Sequence, residues 1–295
     1  MIDKSASELL RVKNLRVAYL GRTGEANAAV NGVSFFIRQG ETVGLLGESG
    51  CGKSTIALSL LGLLERENTS QNGSIVLNGR ELQNLTEKEW QMVRGAEIAL
   101  ILQDPTLALS PVKRVGEQVA DVYWAHKQWK RGRCLEEAEQ LLLSVHLTDV
   151  PRILSSYPFQ LSGGQLQRIV IAQAIACEPS LVIADEPTSA LDSIIRAEIL
   201  ALFEELKGRN NTAFLFISHE PEILAFLANR IMVMKEGIII EEGTFVELRD
   251  RPANSFTREL IRAIRQPRDA KSAEQSGADS RKGTEEHAAS RESRK

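Results

Sequence analysis

Runs rich in β-branched and aliphatic residues recur at 11–19, 32–37, 42–46, 74–77, 97–102, 181–184, 213–217, 231–234 and 238–241, and several of them read as strands. Helical patterns separate them at 53–64, 87–93, 135–145, 164–176, 193–207 and 221–228. This alternation predicts an α/β fold built on a parallel sheet. The early strands are joined by short turns, which predicts an antiparallel β subdomain beside that sheet. From about 111 to 158 the strand signal stops and helix formers dominate, so an α-helical subdomain is expected to interrupt the α/β pattern. After Gln266 almost no large apolar residue remains, and a disordered charged tail is expected over 265–295. There is no internal repeat and a single phosphate-loop sequence.

Composition narrows the class without naming a chemistry. With 295 residues, 43% hydrophobic and 25% charged, the chain has the makings of one large core or two modest ones. A net charge of -3 gives no global attraction to nucleic acid or anionic lipid, so nucleic acid is not the expected partner. Cys51, Cys134 and Cys177 are odd in number and far apart, which argues against a disulfide framework or a zinc site and for a reducing compartment. The opening residues lack a signal-peptide core, and no run approaches the roughly 20 apolar residues needed to cross a bilayer. The expectation is a chain neither exported nor membrane-spanning on its own.

The strongest chemical signal is Gly47-Glu48-Ser49-Gly50-Cys51-Gly52-Lys53-Ser54-Thr55, which follows an apolar strand and opens a helix. Phosphates need closely approaching backbone N–H groups, which the glycines permit, and the helix N-terminus adds partial positive charge. In that pattern Lys53 reaches the β- and γ-phosphates and the Ser54 hydroxyl can coordinate Mg²⁺. A second run, Leu181-Val182-Ile183-Ala184-Asp185-Glu186, ends a buried strand in two acids, the expected place for catalytic groups in an open parallel sheet. Alone, the pair reads equally as solvated turn carboxylates before Pro187. Downstream of a phosphate loop, it reads as Asp185 serving Mg²⁺ and Glu186 polarising the attacking water.

Leu161-Ser162-Gly163-Gly164-Gln165 places a hydroxyl and bare amides just before a helix. With this segment in view, the chain resembles the nucleotide-binding subunits of ATP-binding cassette (ABC) transporters, whose signature is LSGGQ. The resemblance spans about 10–264 and implies a P-loop NTPase core binding ATP and Mg²⁺. By resemblance, Tyr19 stacks on adenine, and Gln103 is the glutamine that senses Mg²⁺ and the transmembrane partner. Likewise Ser189–Asp192 crosses the dimer interface, and His219 in Ile217-Ser218-His219-Glu220 is the switch histidine at the γ-phosphate. Glu186, His219 and Gln103 are thus the expected catalytic residues, and Ser54, Gln103 and Asp185 the expected metal-site residues. Because the signature of one subunit covers the ATP of another, the resemblance implies a head-to-tail dimer, with a copy of this chain or a paralogous ATPase subunit.

Finer resemblance is to the peptide and nickel importer branch, carried by Ala28–Phe35, Ile101–Pro105 and Tyr157–Gln165. It implies two transmembrane permease subunits, an extracytoplasmic binding protein reached through them, and a peripheral place on the cytoplasmic face of the bacterial inner membrane. The implied cargo is peptide, nickel or a metal–chelator complex. The branch's Thr-His-Asp is Ser218-His219-Glu220 here, its His-Pro-Tyr-Thr element is replaced by Ala253-Asn254-Ser255-Phe256-Thr257, and without the cysteine-rich segment of some relatives no iron–sulfur cluster is expected. The competing expectation is a soluble cassette ATPase serving ribosomes, DNA or a phosphonate-cleaving complex. A single cassette and a short helical insert count against the first two.

Overall fold

The computed structural model describes residues 7–21, 25–207 and 209–262. The chain opens with strands β1 (Glu8–Leu20), β2 (Ala26–Arg38) and β3 (Thr42–Leu46), then helix α1 (Lys53–Leu60). Next come β4 (Thr69–Leu77), β5 (Arg80–Glu81), α2 (Glu87–Val93) and β6 (Ile98–Ile101). A helical stretch follows, with α3 (Pro105–Ala108), α4 (Val115–Lys127), α5 (Arg131–Ser144), α6 (Val150–Ser155), a 3-10 turn (Pro158–Gln160) and α7 (Gly163–Ile175). Alternation resumes with β7 (Leu181–Asp185), α8 (Ser193–Lys207), β8 (Ala213–Ser218), α9 (Pro221–Leu227) and β9 (Arg230–Lys235). The hairpin partner β10 (Ile238–Gly243), α10 (Phe245–Asp250) and α11 (Ser255–Arg262) complete the described chain. The tail expected over 265–295 lies outside the described residues.

The strands form two sheets, a four-stranded one in the order β2-β1-β4-β5 and a six-stranded one in the order β10-β9-β3-β8-β7-β6. The first is antiparallel throughout, as the short turns imply. In the second, β9, β3, β8, β7 and β6 run parallel, and β10 alone is antiparallel. The expected parallel sheet thus carries one antiparallel edge strand. Only two residues, Glu236 and Gly237, separate β9 from β10, and both have positive φ (49° and 79°), the geometry of a tight hairpin turn. A parallel return needs a crossover of a dozen residues or more. Two helix bounds differ by four residues, the others by one at most: the helix expected at 53–64 ends at Leu60, and that expected at 135–145 begins at Arg131, since Arg131, Gly132 and Arg133 are exposed and carry no apolar signal.

The six-stranded sheet divides the core by the two-residue period of its strands. Val182, Ala184, Phe214, Phe216, Ile231 and Val233 face the helical side with α4–α8. Leu181, Ile183, Leu215, Ile217, Met232 and Met234 face α1 and the antiparallel sheet. One ionic staple joins the layers. Arg230, 5% exposed, donates through Nε to Glu41 Oε1 at 2.7 Å, through Nη1 to Glu242 Oε1 at 2.5 Å, and through Nη2 to the Phe36 carbonyl. Among the described residues no helix is long and apolar enough to cross a membrane.

Candidate functional site

All five residues of β3 are buried, so the chain leaves the sheet centre at Gly47 with no freedom to drift. The loop then turns into α1 through Gly52, whose φ is 106°. A Cβ there would lie 2.2 Å from the Ala29 carbonyl oxygen, so only glycine fits both the conformation and the space. Lys53, 5% exposed, folds back over the loop and donates from Nζ to the carbonyls of Gly47 and Glu48, each at 2.8 Å. The hairpin turn supports the loop from beneath: Gly237 N donates to the Cys51 carbonyl at 3.1 Å, and Asn31 N to the Gly237 carbonyl at 2.8 Å. Burial pushes the Cys51 thiol up, against the pull of Lys53.

The end of β7, two strands from β3 across β8, brings in the acids. Burial raises the Asp185 carboxyl, which accepts a hydrogen bond from Ser54; the nearby Glu186 charge raises it further and Lys53 opposes. A hydroxyl and a carboxylate in contact at a phosphate loop are hard oxygen donors and fit Mg²⁺, which takes few protein ligands and completes its shell with phosphate and water. No group of three or more His, Cys, Asp or Glu poised for a metal occurs among the described residues. Glu186 adopts φ 47°, rare for a residue with a side chain, while its N–H donates to the Ile217 carbonyl at 2.9 Å. Its Oε1 lies 2.8 Å from His219 Nδ1. A carboxylate only accepts, so that ring nitrogen carries the proton.

Most of these groups line one cavity of about 560 Å³, within the range of small-molecule sites; Gly47, Glu48 and His219 are outside its lining, His219 meeting it through Glu186. Its lining includes Tyr19, Ser49, Gly50, Cys51, Gly52, Lys53, Ser54, Thr55, Gln103, Asp185 and Glu186. The Tyr19 hydroxyl stands 3.2 Å from Thr55 Oγ1. Asn27, Ala28, Ala29, Glu236 and Gly237 also line it and were not expected from the sequence. The one available signal was Glu236-Gly237 between two aliphatic runs, which marks a hairpin. Gln103 follows the end of β6, and the next residue, Asp104, caps α3 by accepting from Thr106 N at 2.8 Å.

Leu161–Gln165 stand apart from this lining. Ser162 caps α7, its Oγ accepting from Gln165 N at 3.3 Å while its own N–H donates to Gln165 Oε1 at 3.0 Å, so each side chain satisfies the other residue's backbone N–H. Gly163 is exposed at the start of that helix. The structure therefore gathers the phosphate loop, Tyr19, Gln103, Asp185, Glu186 and His219 into one place and leaves the signature in another.

A glycine loop between a central strand and a helix, with a buried lysine and an acid pair two strands away, defines a P-loop nucleotide-binding protein. The chain belongs to the ABC transporter family, whose family model matches residues 30–189. It is 41% identical over 263 residues to the probable peptide ABC transporter ATP-binding protein y4tR of Sinorhizobium fredii, covering 89% of this chain and 78% of that one. It is 39% identical over 264 residues to the oligopeptide transport ATP-binding protein OppD of Escherichia coli, covering 90% and 78%. Among solved structures, the dimeric ATP-binding cassette MJ0796, in a post-hydrolysis state bound to ADP and Pi, superposes with a TM-score of 0.71 at 27% identity, covering 80% of this chain and 99% of that one. The chain is thus an ATP-binding cassette, and its activity is ATP hydrolysis.

Proposed function

We propose that this chain is the ATP-hydrolysing subunit of a peptide importer. The carrying observation is the single cavity that holds Lys53, Ser54, Asp185 and Glu186, with His219 hydrogen-bonded to Glu186. Tyr19 offers a ring for the adenine, and the loop from Gly47 to Thr55 offers its amides and Lys53 to the phosphates. Ser54 and Asp185, with Gln103 nearby, would hold Mg²⁺, whose charge neutralises the β- and γ-oxygens. Glu186 orients and polarises the attacking water, and His219 fixes the Glu186 carboxylate and faces the γ-phosphate. The separation of Leu161–Gln165 from this cavity supports a head-to-tail dimer in which Leu161, Ser162, Gly163, Gly164 and Gln165 of another subunit cover it.

The cassette unit would span about 10–264, with its helical subdomain at about 111–158 and Gln103 leading into it. Two permease subunits would dock there, with a binding protein acting through them from the far side of the bacterial inner membrane and this chain on the cytoplasmic face. Peptide cargo is favoured because the relatives named above are peptide and oligopeptide transport proteins, and neither carries nickel or a chelator in its name. The test is reconstitution of the full chain with its permeases and binding protein in liposomes. Peptide-stimulated ATP hydrolysis and uptake of labelled peptide are expected. Stimulation by nickel or a metal–chelator complex and not by peptide would overturn the cargo assignment, and full activity of surface variants around Asp104 would overturn the coupling role of that segment.

A further inference from the structure

The residue after His219 is not idle. Glu220 occupies the N-cap position of α9, yet its side chain makes no capping bond to that helix. Its N–H instead donates to Ser218 Oγ at 2.9 Å, and its Oε2 accepts from Arg196 Nη1 at 2.9 Å. Both partners are half-buried, at 31% and 27% side-chain exposure, so the pair is better shielded than a surface ion pair. Arg196 Nε is buried without an acceptor among the described residues, which leaves Glu220 as the contact that holds the guanidinium.

Arg196 lies in the first turn of α8, and that turn is tied to two other segments. Asp192 Oδ1 accepts from the N–H groups of Ile194 and Ile195, each at 3.1 Å, and Arg196 N donates to the Asp192 carbonyl at 2.8 Å. Ile195 packs against the signature: a Cβ on Gly164 would stand 2.8 Å from Ile195 Cγ2. A continuous path therefore runs from Gly164 through Ile195, Arg196 and Glu220 to His219 and Glu186. It joins the two stretches proposed to face another subunit, 161–165 and 189–192, to the hydrolytic pair of this chain's own site.

We infer that Arg196 is a positioning residue, which through Glu220 sets His219 against Glu186 and so makes hydrolysis in this cavity depend on how residues 161–196 are seated. The inference rests on the reading of Glu186 and His219 as the hydrolytic pair. Arg196 does not line the cavity, so its loss acts on the placement of the water-activating carboxylate and not on ATP binding. A misplacement of this kind lowers turnover with little change in substrate affinity.

The test uses the full chain assembled with its permeases, measuring kcat and KM for ATP in Arg196→Met, Glu220→Met, the double variant, Arg196→Lys and His219→Ala, with thermal melts of each. Arg196→Met and Glu220→Met are each expected to lower kcat about tenfold with KM within about twofold. The double variant falls no further, because both act through one bond. Arg196→Lys, which can keep that single contact, stays within about threefold of the unsubstituted chain. If His219→Ala abolishes turnover while the two methionine variants retain it, or if their losses multiply, the positioning role is wrong and the hydrolytic pair stands. If His219→Ala itself turns over normally, the underlying reading fails. Glu220→Met carries the test if Arg196→Met does not fold.

Discussion

His219 Nδ1 lies 2.8 Å from Glu186 Oε1, each residue standing just beyond the end of one of two adjacent parallel strands, β8 and β7. Glu186 reaches that contact at a positive φ, a conformation that costs on the order of 1–3 kcal/mol and persists only where the surroundings enforce it. Its N–H is anchored on Ile217, and its carbonyl accepts from Ser189 Oγ at 3.1 Å. The strain is thus held from both sides. It leaves the Glu186 side chain 14% exposed on the cavity wall, facing a histidine that is 45% exposed.

The loop glycines should separate by mechanism. Gly52→Ala puts a Cβ 2.2 Å from the Ala29 carbonyl at φ 106°, whereas Gly50→Ala meets nothing within 4 Å and pays only for φ 82°. Gly50→Ala is expected to cost about 1–2 kcal/mol and Gly52→Ala clearly more, read as the difference in denaturant unfolding. Equal losses would mean that the β2 backbone at Ala29 yields.

Lys53→Ala should weaken ATP binding about a hundredfold, the scale of one charge-assisted hydrogen bond to phosphate. The substitution also leaves the carbonyls of Gly47 and Glu48 without the donor they now share. Equilibrium binding of labelled ATP measures this. An unchanged dissociation constant would remove Lys53 from the site.

Acid stability should carry a signature from the helical stretch. Burial pushes the Asp121 carboxyl up, but its bonds to Lys113 and Arg131 outweigh this and hold it below its ordinary value of 3.8. A depressed folded pKa contributes stability that is fully present above the unfolded value and is lost as pH falls through the folded one. Asp121→Asn should therefore destabilise the chain at neutral pH by about 1 kcal/mol or less, because both ion pairs are well exposed. The gap to the unsubstituted chain should close in denaturant melts as pH falls below the ordinary value of 3.8 and through the lowered folded one. A gap that widened in acid would reverse the sign of the shift.

What the sequence made legible is what lies contiguously along the chain. The phosphate loop, the strand ending in Asp185 and Glu186, and the cap at Ser162 are each a run whose chemistry is local, and the alternation of apolar runs marked the order of strands and helices. What it hid joins distant segments. Arg230 meets Glu41 across 189 positions, and Arg196 meets Glu220 across 24. No period or motif announces such a pair, because each partner alone reads as a surface charge. The floor of the loop was hidden for the same reason: Gly237 looks like an ordinary hairpin glycine until its N–H is found on Cys51. The antiparallel edge, by contrast, was within reach, since a two-residue link between aliphatic runs already excludes a parallel return.

On the proposed function, Glu186 activates water while the phosphate loop holds ATP independently. Glu186→Gln keeps the shape of the side chain and its contact with His219 while removing the base. ATP affinity and hydrolysis should be measured side by side on the full chain assembled with its partner subunits. The expected result is a dissociation constant within about threefold of the unsubstituted chain and turnover lower by about a hundredfold or more. Near-normal turnover in Glu186→Gln, with ATP still bound, would contradict the account and assign the water to another residue.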